Sequence, residues 1–124
     1  MTTLRPFECS GRVRSFQHAG RGIALMLASQ HNAWIHFAAT VFVIVAGVFL
    51  KVSVTSWCLL TLAATSVWVA EALNTAFENL CDVASPDFHP LVKKSKDVAA
   101  GSVLLSAIGA VVVGLFVFAP YFLR

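Results

Sequence analysis

Three stretches of this chain, residues 33–50, 52–70 and 98–123, are apolar almost without a break, with His36 and Lys51 nearly the sole strongly polar interruptions. A helix needs roughly 20 apolar residues to cross a hydrocarbon core, and each stretch is of that order. The rest of the composition agrees. Hydrophobic residues make up 58% of the 124-residue chain and charged residues 12%, whereas a soluble domain carries about twice that charge. The expected architecture is a single all-α membrane domain spanning residues 1–124. An N-terminal amphipathic surface helix near residues 10–30 precedes transmembrane helices near 33–50, 55–80 and 97–120.

The N-terminal 30 residues carry arginines throughout and lack the short apolar region of a cleaved signal peptide. Three cysteines, an odd number without a C-x-x-C pair, are read as unpaired and non-ligating. The basic residues sort by side. Arg5, Arg12, Arg14 and Arg21 precede the first apolar run, and Lys93, Lys94 and Lys96 lie between the second and third. The remaining ends hold only Lys51 and Arg124. The positive-inside rule then puts the N-terminus and the 81–97 loop in the cytoplasm and the C-terminus outside, as expected of a multi-pass membrane protein. Trp34, Trp57 and Trp68 are expected near helix ends, where interfacial tryptophans belong.

In residues 10–30, Val13, Phe16, Ile23 and Leu27 can face lipid while Arg12, Arg14 and Arg21 face water or anionic head groups. The turn at 51–56 is short enough to make the first two spans antiparallel. Nothing in VAEALNTAFENLCD breaks a helix, so the second span should run on to about Asp82. SPDFHP, with its two prolines, is a loop, and the third helix should start around Lys94 and end by Pro120. Within it Ser102, Ser106, Ala110 and Gly114 recur every four residues, a small-residue stripe suited to close helix packing.

The chemistry concentrates elsewhere. Five of the six acidic residues fall between 71 and 97. Glu71, Asn74 and Glu78 are spaced i, i+3, i+7 and share one helix face. Ionisable groups this close to a bilayer usually face a polar cavity or a partner. The competing interpretation is an interfacial stripe paired with Lys93, Lys94 and Lys96. Depth separates the two glutamates. Glu71 lies roughly 24 Å along a helix entering near residue 55, at the inner edge of a ~30 Å core. Glu78 is about 10.5 Å farther, in the aqueous layer. Glu71 therefore suits a base that takes a proton from a lipid hydroxyl. Glu78 suits Mg²⁺, a hard cation held by one or two carboxylates plus phosphate oxygens. Lys96 could neutralise phosphate, and Asp97 near a helix N-terminus is favoured by the dipole. No P-loop and no protein-kinase glycine motif occurs, so a nucleotide site would have to be built differently.

EALNTAFENLCD (71–82) followed by HPLVKKSKDVAAGSVLL (89–105) closely resembles the prokaryotic diacylglycerol kinase and undecaprenol kinase family, and RGIALMLASQHNAWIH (21–36) extends the likeness weakly. The resemblance implies a homotrimeric bundle of three-span subunits, with sites shared between subunits at the cytoplasmic interface. It implies direct transfer of the ATP γ-phosphate, with Mg²⁺, to a membrane lipid alcohol such as diacylglycerol or undecaprenol. By matching position, Glu71 looks like the general base and Glu78 a metal ligand. Asn74, Lys96 and Asp97 look like nucleotide and phosphate contacts, and His18 matches a position near the nucleotide. The family's further metal-binding glutamate is replaced here by Gln30, which offers a carbonyl oxygen but no charge. His36 is expected to hydrogen-bond at the start of the first span, and His89 to shape the loop before Pro90. ATP, a lipid alcohol, the bilayer and further copies of the chain are the partners implied; nucleic acid is not among them. The rival readings are a channel or transporter subunit with an intramembrane ion relay, and a relative of the kinases that has lost activity.

Overall fold

The computed structural model describes residues 9–123; Arg5 and Arg124, which enter the charge asymmetry, lie outside them. The chain forms α1 (Cys9–Ser29), α2 (His31–Phe49), α3 (Val54–Ala84) and α4 (Pro90–Phe122), with no strand among the described residues. The last three are long and apolar enough to cross a membrane.

Gln30 alone separates α1 from α2. Its extended backbone (φ −112°, ψ 120°) interrupts the helix for one residue, and its N–H still bonds to the Met26 carbonyl. The α2–α3 hairpin is tighter in its geometry. Lys51 sits in the left-handed region at φ 53°, its N–H bonds to Val48 O, and Val52 N–H bonds to Gly47 O. This is the Schellman closure, in which a left-handed residue lets the chain satisfy the helix's last carbonyls. Ser53 then caps α3 by accepting from Ser56 N–H at 3.1 Å. Just inside the hairpin the Trp57 ring lies over Gly47, where an added Cβ would come within 2.6 Å of the indole.

Helix length decides what projects from the bilayer. At 1.5 Å per residue α2 is about 29 Å long, whereas α3 and α4 are about 46 and 50 Å. Because α2 and α3 share the hairpin end, the excess of α3 lies at the opposite end, with Glu78 and the lysines. There His89 caps α4 by accepting from Leu91 N–H, and Pro90 occupies the first turn, where its missing donor is harmless. The third span therefore begins at Pro90, a turn before Lys94, and runs through Pro120 to Phe122.

Val52, Leu60 and Val117 form a buried cluster at the hairpin end, with Trp57, Val113 and Tyr121 packed against it. Of the small-residue stripe, Ser106, Ala110 and Gly114 lie on the partly buried side of α4. Ser102 does not: it is exposed and bonds to Ala99 O. Val103 and Val117 are the side chains that α4 buries. Large apolar residues such as Phe42, Phe49, Leu62, Leu105 and Phe116 remain exposed, as expected of a lipid-facing surface.

Candidate active site

The buried side chains of α3, namely Leu60, Val67, Glu71, Asn74 and Thr75, make one stripe along the helix. It changes from apolar to polar at Glu71. Glu71 is 1% exposed, and no hydrogen-bond donor meets either of its carboxylate oxygens. An ionised carboxylate in such a place is costly unless charges or donors compensate it. The partner it does have is His36, reaching across from α2 with Nε2 3.5 Å from Oε2. That is an ion-pairing distance without hydrogen-bond geometry. Thr75, also buried, turns its hydroxyl back to the Glu71 carbonyl at 2.9 Å and leaves the carboxylate alone.

One and two turns on, the stripe becomes partly solvated. Asn74 Nδ2 donates to Glu78 Oε1 at 3.3 Å, and Gln30 Nε2 donates to Glu78 Oε2 at 3.5 Å. Two amides thus fix the Glu78 carboxylate, one from its own helix and one from the α1–α2 break. Asn74 Oδ1 is left buried without a donor. Glu71 and Asn74 therefore present buried oxygens that no donor among the described residues satisfies, two turns and one turn from a Glu78 carboxylate held by two amides, an arrangement that suits a hard cation or an incoming hydroxyl. No group of three or more His, Cys, Asp or Glu side chains comes together among the described residues. A metal here would draw on amide oxygens and on oxygens of a bound substrate.

The comparisons with known proteins bear on the same segment. The family model for prokaryotic diacylglycerol kinase matches residues 17–118. The chain is 36% identical to an undecaprenol kinase of Bacillus subtilis over 107 residues, which covers 86% of this chain and 87% of that one. It is 41% identical to a diacylglycerol kinase of Synechocystis over 101 residues, covering 81% of this chain but 58% of the longer relative. A diacylglycerol kinase of Helicobacter pylori is 28% identical over 112 residues, with 85% and 88% covered. The chain belongs to the prokaryotic diacylglycerol kinase family.

The positions matched to this kinase family separate into two groups in the structure. Glu71, Asn74, Glu78 and Gln30 converge. Lys96 and Asp97 belong to a second, exposed cluster: Lys96 Nζ is 2.5 Å from Asp82 Oδ1, and Lys93 Nζ is 2.8 Å from Asp97 Oδ2. The hydrogen bond to Asp82 raises the Lys96 pKa above its usual value, and the Glu78 charge adds to the same effect. His18 stands exposed on α1, about 18 Å before Gln30 along the helix axis, and the structure does not bring it to the cluster.

Two placements differ from the expectation. Trp68 lies in the middle of α3, not at a helix end, and its indole N–H donates to Thr40 Oγ1 of α2 at 3.1 Å. His36 does not serve the start of α2; its ring faces Trp68 and Glu71. Asp82, which by sequence only closes the second span, pairs with Lys96, and the surplus of acidic residues between 71 and 97 is the signal in the sequence for such a partner.

Proposed function

We propose that this chain is a lipid kinase that transfers the γ-phosphate of ATP, with Mg²⁺, to the hydroxyl of a membrane lipid alcohol. One observation carries the reading. Glu71, a fully buried carboxylate with no donor on either oxygen, lies about 26 Å along α3 from the hairpin, near the far edge of a ~30 Å hydrocarbon core. A lipid hydroxyl reaches that depth from the bilayer, and the γ-phosphate end of a nucleotide meets it there from the aqueous side. Glu78, about 10.5 Å farther, is where phosphate arrives from water.

In this reading Glu71 takes the proton of the lipid hydroxyl. The freed oxygen bonds to the γ-phosphorus, the bond from that phosphorus to the β–γ bridging oxygen breaks, and ADP leaves. Phosphoryl transfer asks the protein for position and charge compensation and for little covalent chemistry. Glu78, Asn74 Oδ1 and, after a half-turn of its amide, Gln30 Oε1 would hold Mg²⁺. Bound there, Mg²⁺ supplies positive charge to the phosphate oxygens. With the amide of Gln30 where the family resemblance implies a carboxylate, a second ion would be held more weakly. Lys96 would exchange Asp82 for nucleotide phosphate, with Asp97 beside it; the exposure of both permits that movement.

The basic residues at the Glu78 end support a cytoplasmic position for that end, and the family resemblance supports a bacterial inner membrane. A single copy already buries Glu71, Asn74 and Thr75, so the trimer proposed here rests on the family resemblance. Diacylglycerol and undecaprenol, the alcohols named by the relatives, are the acceptors to compare. Purified protein in lipid vesicles should consume ATP only when Mg²⁺ and one of these alcohols are present. Ion flux without ATP consumption would favour a channel instead, and failure to bind Mg²⁺-ATP would favour an inactive relative.

A further inference from the structure

Beyond the roles already assigned, the histidine of the first span has a place in the chemistry. We propose that His36 is a positioning residue for Glu71, holding the carboxylate by one oxygen so that the other meets the acceptor hydroxyl. The inference rests on Glu71 being the base.

Glu71 lies inside α3, where backbone N–H groups are already committed to the helix, so only a side chain can supply a donor. Among the described residues His36 is the ion-pairing partner, with Nε2 3.5 Å from Oε2 and its side chain 16% exposed. A catalytic hydrogen bond is often long in a ligand-free site and tightens when substrate closes around it. Oε1 has no partner and is the oxygen left for the hydroxyl.

The imidazole is itself held by a closed loop of contacts. The Thr40 hydroxyl donates to the His36 carbonyl at 2.7 Å, and the Trp68 indole N–H donates to Thr40 Oγ1 at 3.1 Å. The Trp68 ring then meets the His36 ring edge to face, with centroids 6.3 Å apart and planes at 73°. Trp68 precedes Glu71 by three residues and so lies one turn below it on α3. The loop thus ties the His36 ring both to its own backbone and to the helix that bears the carboxylate. A histidine that only filled space between helices would need no such restraint on the angle of its ring. The same loop explains why the tryptophan lies in mid-helix.

Kinetics in vesicles with saturating lipid alcohol test the role. His36→Leu, which keeps bulk but removes the donor, should lower kcat by ~10–100-fold, the range typical of groups that orient a reacting side chain, with KM for ATP unchanged. His36→Gln, whose amide nitrogen reaches about as far as Nε2, should return kcat to within a few-fold of the parent. His36→Asn, with its amide too close to the backbone, should not. Should His36→Leu fail to fold, the Gln and Asn pair carries the test, because packing alone would not rank them this way. A His36→Leu kcat within twofold of the parent, a loss confined to KM for ATP, or equal activity of the Gln and Asn variants would overturn the proposal. Glu71→Gln is assayed alongside. If it is inactive while His36→Leu is normal, only this inference fails; if it is fully active, the base assignment fails and the inference with it.

Discussion

The two acidic clusters of this protein are built on opposite terms. At the loop, Asp82 and Asp97 each have a lysine within salt-bridge distance, and all but Lys96 of the four side chains are more than 60% exposed. On the inner stripe, Glu71 is 1% exposed with no hydrogen bond to either oxygen, and Asn74 Oδ1 is orphaned beside it. The loop cluster is satisfied and worth little, since an exposed ion pair contributes ~0–1 kcal/mol. The inner stripe is unsatisfied, and each unmet buried polar group costs about 1–3 kcal/mol. A chain that tolerates such a cost in one place, with lysines close by, is holding that place open for something outside itself.

The contrast can be broken experimentally. Glu71→Gln should have the largest effect, lowering phosphoryl transfer by ~10³-fold or more if the proton has nowhere else to go. The same variant should melt no lower than the parent, because it removes a buried charge that lacks donors. A lower melting temperature would mean that the site is a structural ion pair with His36. Glu78→Gln should follow, with activity down ~10²-fold at low Mg²⁺ and partly recovered as Mg²⁺ is raised; no dependence on Mg²⁺ would remove the metal from Glu78. Gly47→Ala should destabilise by about 1–3 kcal/mol, because the new methyl meets the Trp57 ring within 3 Å, and a thermal melt in detergent reads it directly. At the loop the effects should shrink: Lys93→Ala should shift stability by less than ~0.5 kcal/mol. A larger loss would show that the exposed pairs hold the fold after all. Smallest in activity is Lys51→Gly, which relieves a left-handed non-glycine residue, should add about 1 kcal/mol, and should leave turnover untouched.

The sequence made the three spans legible because length and apolarity are properties of each segment alone. The Glu71, Asn74, Glu78 face was equally legible, since helical period brings those residues together whatever surrounds them. What stayed hidden depended on the register between helices. Nothing in the period of α2 says that His36 will meet Glu71 rather than the lipid interface, and nothing in α3 says that Trp68 will turn toward Thr40. The lysine–aspartate pair is by sequence a candidate phosphate contact, and only the fold shows that Lys96 rests on Asp82 and Asp97 on Lys93. Ser102 left the small-residue stripe for a similar reason: a repeat of four drifts around a helix of 3.6 residues per turn.

The seat of Trp57 on Gly47 has a consequence far from where it lies. From Trp57 to Glu71 α3 runs about 21 Å as a nearly rigid arm, so a tilt of about 5° at the glycine swings the carboxylate by about 2 Å. The flat indole against a bare backbone is the fulcrum of that lever. Substitutions at the hairpin end that leave every polar side chain in place should still detune the kinase, through the angle at which one helix leaves another.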